Sequence, residues 1–262
     1  MPVVKRNQAE RLVEDVANAV PVLPVLSVAS FKGGVWKTSF AVSLAERLAW
    51  NKVNVLLLTC DAQMDACARL GLKRSPDLQV VSRGHGHVSV LGAAGSRLPE
   101  ILYRRGLVDT AQFKLAVVDT PPVRHGGNLP GAFMVALVDG TDARANLLTM
   151  LQDTPANTTV VLVKVGGGDA GEWAVTAEAL EVASGRPLLY LPDPVPASPV
   201  VKQAQDEGRS VWELARSGNV LKMLSAVDDV ASMFWEHVGN GRWLKMPSSL
   251  KVVHLGGWDD GG

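Results

Sequence analysis

The stretch Ser30-Phe31-Lys32-Gly33-Gly34-Val35-Trp36-Lys37-Thr38-Ser39 decides the fold. It follows an apolar run, Val25–Ser30, and precedes a segment in which Ala41, Leu44, Ala45 and Leu48 recur at helical spacing. A glycine-rich turn between a strand and a helix aims backbone N–H groups at an anion, and the helix start adds its positive dipole. The sequence therefore predicts a phosphate-binding loop. Lys37 would reach the β- and γ-phosphates and the Thr38 hydroxyl would ligate Mg²⁺. Gly33, Gly34, Val35, Trp36, Lys37, Thr38 and Ser39 are the candidate nucleotide-binding residues. The standard pattern G-x-x-x-x-G-K-S/T is not met, because Phe31 and Trp36 stand at its glycine positions. What stands instead is Lys-Gly-Gly-x-x-Lys-Thr, with an additional lysine at Lys32.

Working outward, further strands are predicted at Val53–Thr59, Leu78–Ser82, Leu115–Thr120, Phe133–Val138, Thr159–Val165 and Pro187–Leu191. Their apolar character is continuous rather than alternating, as in strands buried on both faces of a parallel sheet. Helical patterns lie between many of them. One covers about Glu172–Ala183, and two or more fall between Val200 and His237. On the helix after Lys37, Glu46 and Arg47 lie off the apolar stripe. Strands alternating with helices predict βαβ units: an α/β domain with a mostly parallel sheet and helices on both faces. Asp119 ends an apolar strand, a costly place for a carboxylate unless it faces a ligand site or water. The carboxyl ends of the strands are where open α/β sheets bind ligands. Ser82-Arg83-Gly84-His85-Gly86-His87 reads as a polar glycine loop, since two histidines at this spacing make no metal set.

The 262 residues, 47% hydrophobic and 20% charged, suit a single globular α/β domain and exclude wholesale disorder. Lys plus Arg and Asp plus Glu are 26 each, so any grip on nucleic acid must come from a local patch. Two cysteines, Cys60 and Cys67, give neither a disulfide framework nor a metal set and suit a cytoplasmic protein. No apolar run is long enough for a membrane span, and no secretory signal is visible. Residues 7–20 read as an amphipathic helix with Ala9, Leu12, Val13, Val16 and Val20 on one stripe. The expected organisation is an N-terminal helix in 1–23, a nucleotide-binding domain in 24–238 and a Gly-rich tail in 239–262.

The Lys-Gly-Gly-x-x-Lys-Thr loop resembles the deviant Walker A motif of the ParA/MinD ATPases. Two further stretches agree. Leu58-Thr59-Cys60-Asp61-Ala62-Gln63 looks like the family's D-x-D-P-Q switch, and Val118-Asp119-Thr120-Pro121-Pro122 looks like its Walker B strand and D-x-P-P switch. A fourth stretch, from Pro199 to Leu214, is similar to the ending of the partition ATPases and favours the ParA branch. The resemblance spans about residues 24–238. It implies a P-loop NTPase fold that binds ATP and Mg²⁺. It assigns catalysis to Lys32, Lys37 and Asp61, with Lys32 reaching the partner's nucleotide across a dimer. It also assigns Mg²⁺ to Thr38, Asp61 and Asp119. The implied partners are a second copy in an ATP-dependent homodimer, non-specific DNA, and a ParB-like adaptor that stimulates hydrolysis. The activity implied is DNA segregation or positioning by a small partition-type ATPase, since 23 residues leave no room for the helix-turn-helix of larger members.

Three departures bear on turnover. Trp36 replaces a residue that is usually glycine or small, and Thr59 and Ala62 stand where the family usually has Asp and Pro. They motivate an alternative, a nucleotide-binding interaction module with little turnover. A third alternative is a MinD-like membrane-recruited positioning ATPase, for which the candidate segment Arg242–Pro247 is short and interrupted by Pro247, so a membrane partner is the least favoured. The candidate DNA patch is Lys202, Arg209, Arg216, Lys222, Arg242, Lys245 and Lys251, with acids interleaved up to Glu236 and none from His237 to Val253.

Overall fold

The computed structural model describes residues 23–30, 36–60, 63–92, 112–120, 132–140, 143–216 and 218–239. The predicted helix at 7–20, the segment 240–262, Lys32 to Val35 and Asp61 lie outside the described residues.

In chain order the elements are β1 (Val25–Ala29), α1 (Lys37–Ala49), β2 (Asn54–Thr59), α2 (Asp65–Arg69), β3 (Gln79–Arg83), β4 (Gly86–Gly92), β5 (Leu115–Asp119) and β6 (Phe133–Asp139). There follow α3 (Ala143–Asp153), β7 (Thr159–Val165), α4 (Ala170–Ser184), β8 (Leu189–Tyr190), α5 (Pro199–Asp206), a 3-10 turn at Val211–Glu213 and α6 (Gly218–His237). The strands form one sheet in the order β3-β4-β2-β5-β1-β6-β7-β8. Every pairing is parallel except β3 with β4. The fold is therefore the expected mostly parallel α/β sheet. β1 sits centrally between β5 and β6, and the chain leaves it toward β2 on one side and later reaches β6 on the other. Connections that diverge in this way open a crevice at the strands' carboxyl ends.

Strand parity sorts the core into faces. Leu26, Val28, Val55, Leu57, Leu115, Val117, Phe133 and Val135 pack with α1, α6 and the 3-10 turn. Ala29, Met134, Ala136, Val138, Val160 and Leu162 pack with α3 and α4 on the opposite face. Helices thus cover both sides, as the alternating pattern predicted.

Two expectations change. β3 is not a strand buried on both faces: it is an antiparallel edge strand, with Val80 56% exposed. The predicted polar loop at 82–87 is a tight hairpin, and β4 begins inside it at Gly86. Gly84 takes φ +58° in the turn, where any Cβ would strike the Trp50 ring. His85 stacks edge-on to Trp50 and His87 Nδ1 lies 3.2 Å from Ser82 Oγ, so the two histidines serve different contacts.

α1 also departs from its pattern. Every residue from Ser39 to Ala49 is buried, including Glu46 and Arg47 at 1% and 0% exposed. The helix is wrapped by α2, α6, the 3-10 turn and the sheet, so even the positions off its apolar stripe face protein.

Candidate nucleotide site

The site lies where β1, β5 and β2 end and α1 begins. Trp36 caps α1 from the left-handed region, at φ +35° and ψ +7°, and makes no side-chain cap hydrogen bond. A helix start whose N-cap side chain offers no hydrogen bond to the first N–H groups is open to an anion. Left-handed backbone is costly for a large side chain, which explains why this loop position favours glycine. The indole leaves the loop and packs against the core. It closes a small cavity with Phe40, Val165, Val195, Pro196 and Met223.

Lys37 Nζ donates to Asp119 Oδ1 at 2.6 Å, across 82 residues of sequence. The two side chains are 10% and 0% exposed. Parity on β5 gives Asp119 the same face as Leu115 and Val117, which is the α1 face. The registers fix its height: Asp119 stands opposite Val28 of β1 and Thr59 of β2. Two bonds tie the strand ends together beyond the ladder. Cys60 N–H donates to Asp119 O at 3.0 Å, and Thr120 Oγ donates to Val28 O at 2.8 Å. The sequence placed Lys37 and Asp119 at the same edge; their direct pairing was not legible there.

Thr59 is 1% exposed and its Oγ has no hydrogen-bond partner. A buried hydroxyl left unbonded is costly, and this one sits beside the Lys37–Asp119 pair. Burial pushes the neighbouring Cys60 thiol up to about 12, with the Asp119 charge adding and Lys37 opposing. Cys60 is thus an inert thiol rather than a nucleophile.

The stretch 199–214 braces α1 from behind. Gln205, fully buried, donates to Ser39 O at 3.0 Å and to Ser43 Oγ at 3.2 Å. Trp212 Nε1 donates to Ser43 O at 3.0 Å. Ser39 is accordingly buried, and Thr38 is partly exposed at the first turn. The structure thus brings Trp36, Lys37, Thr38, Ser39, Thr59 and Asp119 into one region, while Lys32, Gly33, Gly34, Val35 and Asp61 lie outside the described residues.

At the carboxyl end of β7, Gly166, Gly167 and Gly168 take φ +88°, +83° and +127°. Gly167 and Gly168 border a cavity of about 540 Å³ lined also by Lys164, Asp169 and Trp173. Trp173 belongs to the α3/α4 face, opposite α1. This cavity therefore lies on the other side of the sheet from the phosphate-loop helix.

A nucleoside triphosphate with Mg²⁺ fits the residues present. The uncapped helix start and the Lys37 ammonium suit phosphate oxygens. The unbonded Thr59 hydroxyl and the Asp119 carboxylate suit the water shell of a hard cation. Thr38 and Asp119 are the described residues that would hold Mg²⁺.

The profile of the CobQ/CobB/MinD/ParA nucleotide-binding domain family (CbiA) matches residues 26–211. Three solved structures share the fold. An ATP complex of a McdA variant from Cyanothece is 15% identical, with a TM-score of 0.59 over 85% of this chain and 99% of that one. MinD with Mg-ADP from Pyrococcus horikoshii OT3 is 16% identical, with a TM-score of 0.54 over 81% and 97%. The pNOB8 ParA bound to nonspecific DNA is 12% identical, with a TM-score of 0.50 over 84% and 100%. No curated protein sequence matches the chain.

Proposed function

The chain belongs to the CobQ/CobB/MinD/ParA nucleotide-binding domain family, and on that premise we propose that it is a ParA-type ATPase. In this reading ATP and Mg²⁺ join two copies, the dimer holds DNA without sequence preference, and an adaptor protein triggers hydrolysis. The observation that carries the reading is the buried Lys37–Asp119 pair at an uncapped helix start.

A buried ion pair that loses one member is strongly destabilised, so such a pair parts only when each member gains a replacement. Triphosphate supplies the replacement for Lys37. Asp119 is then released to the cation's shell, and Thr59 Oγ gains a hydrogen-bonding neighbour. Bound Mg²⁺ would supply charge neutralisation on the phosphates. Lys37 neutralises charge in cis, Lys32 acts on the partner's nucleotide, and Asp61 orients the attacking water; together these provide positioning and charge stabilisation. The same exchange makes the site a switch, because Lys37 and Asp119 hold different partners with and without nucleotide.

The DNA half of the reading is narrowed by local pairing. Lys202 bonds Asp206 at 2.5 Å and Arg209 lies 2.6 Å from Glu207, so these cations carry their own neutralising acids. Of the other candidates, Arg242, Lys245 and Lys251 fall in a stretch of sequence with no interleaved acid. Phosphate contacts made there would carry little sequence preference.

A second reading is favoured by Thr59, which puts a hydroxyl where a switch carboxylate is usual, and by the left-handed Trp36. In it the protein binds nucleotide and dimerises with negligible turnover. Phosphate release with and without random-sequence duplex, across a salt series, separates the two. The ATPase reading expects DNA-dependent turnover, with an apparent DNA affinity that falls with salt by a log–log slope of about −0.9 per phosphate contact. Absence of turnover with tight ATP binding selects the module.

A further inference from the structure

The buried face of α5 consists of Val201, Ala204 and Gln205. A glutamine thus stands where an apolar residue would suffice for packing, and it is 0% exposed. Burying a primary amide is costly unless its hydrogen bonds are recovered. Here they are recovered from two other helices. Nε2 donates to Ser39 O at 3.0 Å and to Ser43 Oγ at 3.2 Å, both on α1. Ser43 Oγ in turn donates to Ser39 O at 2.8 Å. Oε1 accepts from Arg69 Nη1, on α2, at 3.4 Å. The amide has one orientation, because Ser39 O only accepts and Arg69 only donates. Its two sides are unequal. The α1 side is tight. On the α2 side Arg69 reaches Gln205 and Asp206 at 3.4 Å each, and its Nε is buried without a hydrogen-bond partner. Backbone holds the same junction together: a Cβ on Gly71, just past α2, would fall 3.2 Å from Gly208 O, just past α5. Arg83 Nη2 donates to both Leu70 O and Gly208 O. α2 and α5 are therefore fastened at their carboxyl ends, and the Gln205 amide joins that pair to the first turn of α1.

We propose that Gln205 is a positioning residue of the nucleotide site, which fixes the first turn of α1 and ties it to α2. The inference rests on the ATPase reading. Gln205 touches no nucleotide; it acts through Ser39 and Arg69. Ser39 follows Lys37 and Thr38 in the first turn, so a hydrogen bond on its carbonyl sets the direction in which those two side chains leave the helix. α2 begins at Asp65, four residues after Asp61. The same amide thus links the lysine and hydroxyl of the phosphate site to the helix that follows the first switch. An apolar side chain of equal length would fill the volume and specify neither direction.

The test is calorimetric titration of Mg-ATP into the wild type, Gln205→Met, Arg69→Met and the double variant, with urea unfolding of each in the absence of nucleotide. Methionine keeps the length of the side chain and removes both donors and the acceptor. Folded Gln205→Met should bind Mg-ATP about tenfold more weakly, the scale of one or two lost buried hydrogen bonds. Arg69→Met, which loses a longer bond, should weaken binding about threefold. Combining the two should weaken it no further than Gln205→Met alone, because both act through one amide. Trp212→Phe removes a different buried bond to α1, from Trp212 Nε1 to Ser43 O. It should lower stability and leave Mg-ATP affinity unchanged. A Gln205→Met protein that loses stability but keeps wild-type affinity overturns the proposal, and leaves the amide a structural contact. So do additive effects in the double variant, or a Trp212→Phe protein that binds as weakly as Gln205→Met. Where Gln205→Met does not fold, Arg69→Met decides, on a side chain 20% exposed, and unchanged affinity there overturns the link. A wild type that binds no Mg-ATP overturns the ATPase reading and this inference with it; a wild type that binds beside an unaffected Gln205→Met overturns the inference alone.

Discussion

The two ends of α1 each hold buried ion pairs, and they are built differently. At the start, Lys37 meets Asp119 at the sheet's carboxyl edge, beside an uncapped helix terminus and the unbonded Thr59 hydroxyl. Near the far end, Glu46 meets Arg83 at 2.6 Å and Arg47 meets Asp228. Arg83 is saturated: it also donates to Leu70 O at 2.9 Å and to Gly208 O at 3.0 Å. Behind it Gly71 and Gly208 meet so closely that a Cβ on Gly208 would fall 2.5 Å from Gly71 Cα. The first pair stands at the ligand-binding edge of the sheet beside a helix start, whereas the second lies away from that edge and is tied through Arg83 into backbone carbonyls, although Glu46 Oε2 also lacks a hydrogen-bond partner. A buried charge pair therefore speaks for ligand exchange where it stands at a helix start on the strands' carboxyl edge; where its cation is tied into backbone carbonyls away from that edge it is a brace.

The largest effect should come from breaking the brace. Arg83→Ala leaves the Glu46 carboxylate buried without its cation and frees two backbone carbonyls. We expect a loss of roughly 3–5 kcal/mol of stability, read by urea unfolding, with ATP affinity of the folded protein nearly unchanged. A loss of ATP affinity without a loss of stability would erase the contrast between the two ends.

The brace should also be pH-dependent. Burial pushes Glu46 up to about 7 from an ordinary 4.5, against the opposing pull of Arg83. The folded protein then keeps a proton that the unfolded chain releases in this interval. This contribution is complete below pH 4.5 and is lost as pH rises toward 7, to a total of about 3 kcal/mol at most. Glu46→Gln should flatten stability between pH 5 and 7. A slope that persists in that variant assigns it to other groups.

A smaller effect concerns Trp36, whose indole packs beside Val165 and Met223 while its backbone starts α1. Tryptophan fluorescence should shift when ATP binds, and Trp36→Phe should remove most of the shift. Trp36→Gly exchanges left-handed strain of about 1–2 kcal/mol for lost indole packing, so stability should change little while the loop loosens. A fluorescence change unaltered by Trp36→Phe would detach the indole from the site.

Much of this was legible in the sequence, for identifiable reasons. The buried parallel strands β1, β5 and β7 announce themselves as unbroken apolar runs, and the predicted bounds of each fall within one residue of the structure. The strand–glycine–lysine–helix order located the site, and the position of Asp119 at a strand end gave its edge. β4 was missed because it starts with Gly86 and His87 inside a hairpin, and α3 because its apolar residues make no clean stripe. The burial of Glu46 and Arg47 was not legible, since periodicity reports which residues share a face but not what packs there. Their partners lie 37 and 181 residues away.

The central claim is that Lys37 exchanges Asp119 for phosphate. Calorimetric titration of Mg-ATP into the wild type and Lys37→Ala tests it most directly. The account predicts measurable binding to the wild type and a loss of at least about a hundredfold in the variant, the roughly 3 kcal/mol scale of a truncated buried charge contact. Unfolding curves should show the variant folded at the temperature used. Equal ATP affinity in the two folded proteins would contradict it, and would make Lys37–Asp119 a second brace rather than the heart of a nucleotide site.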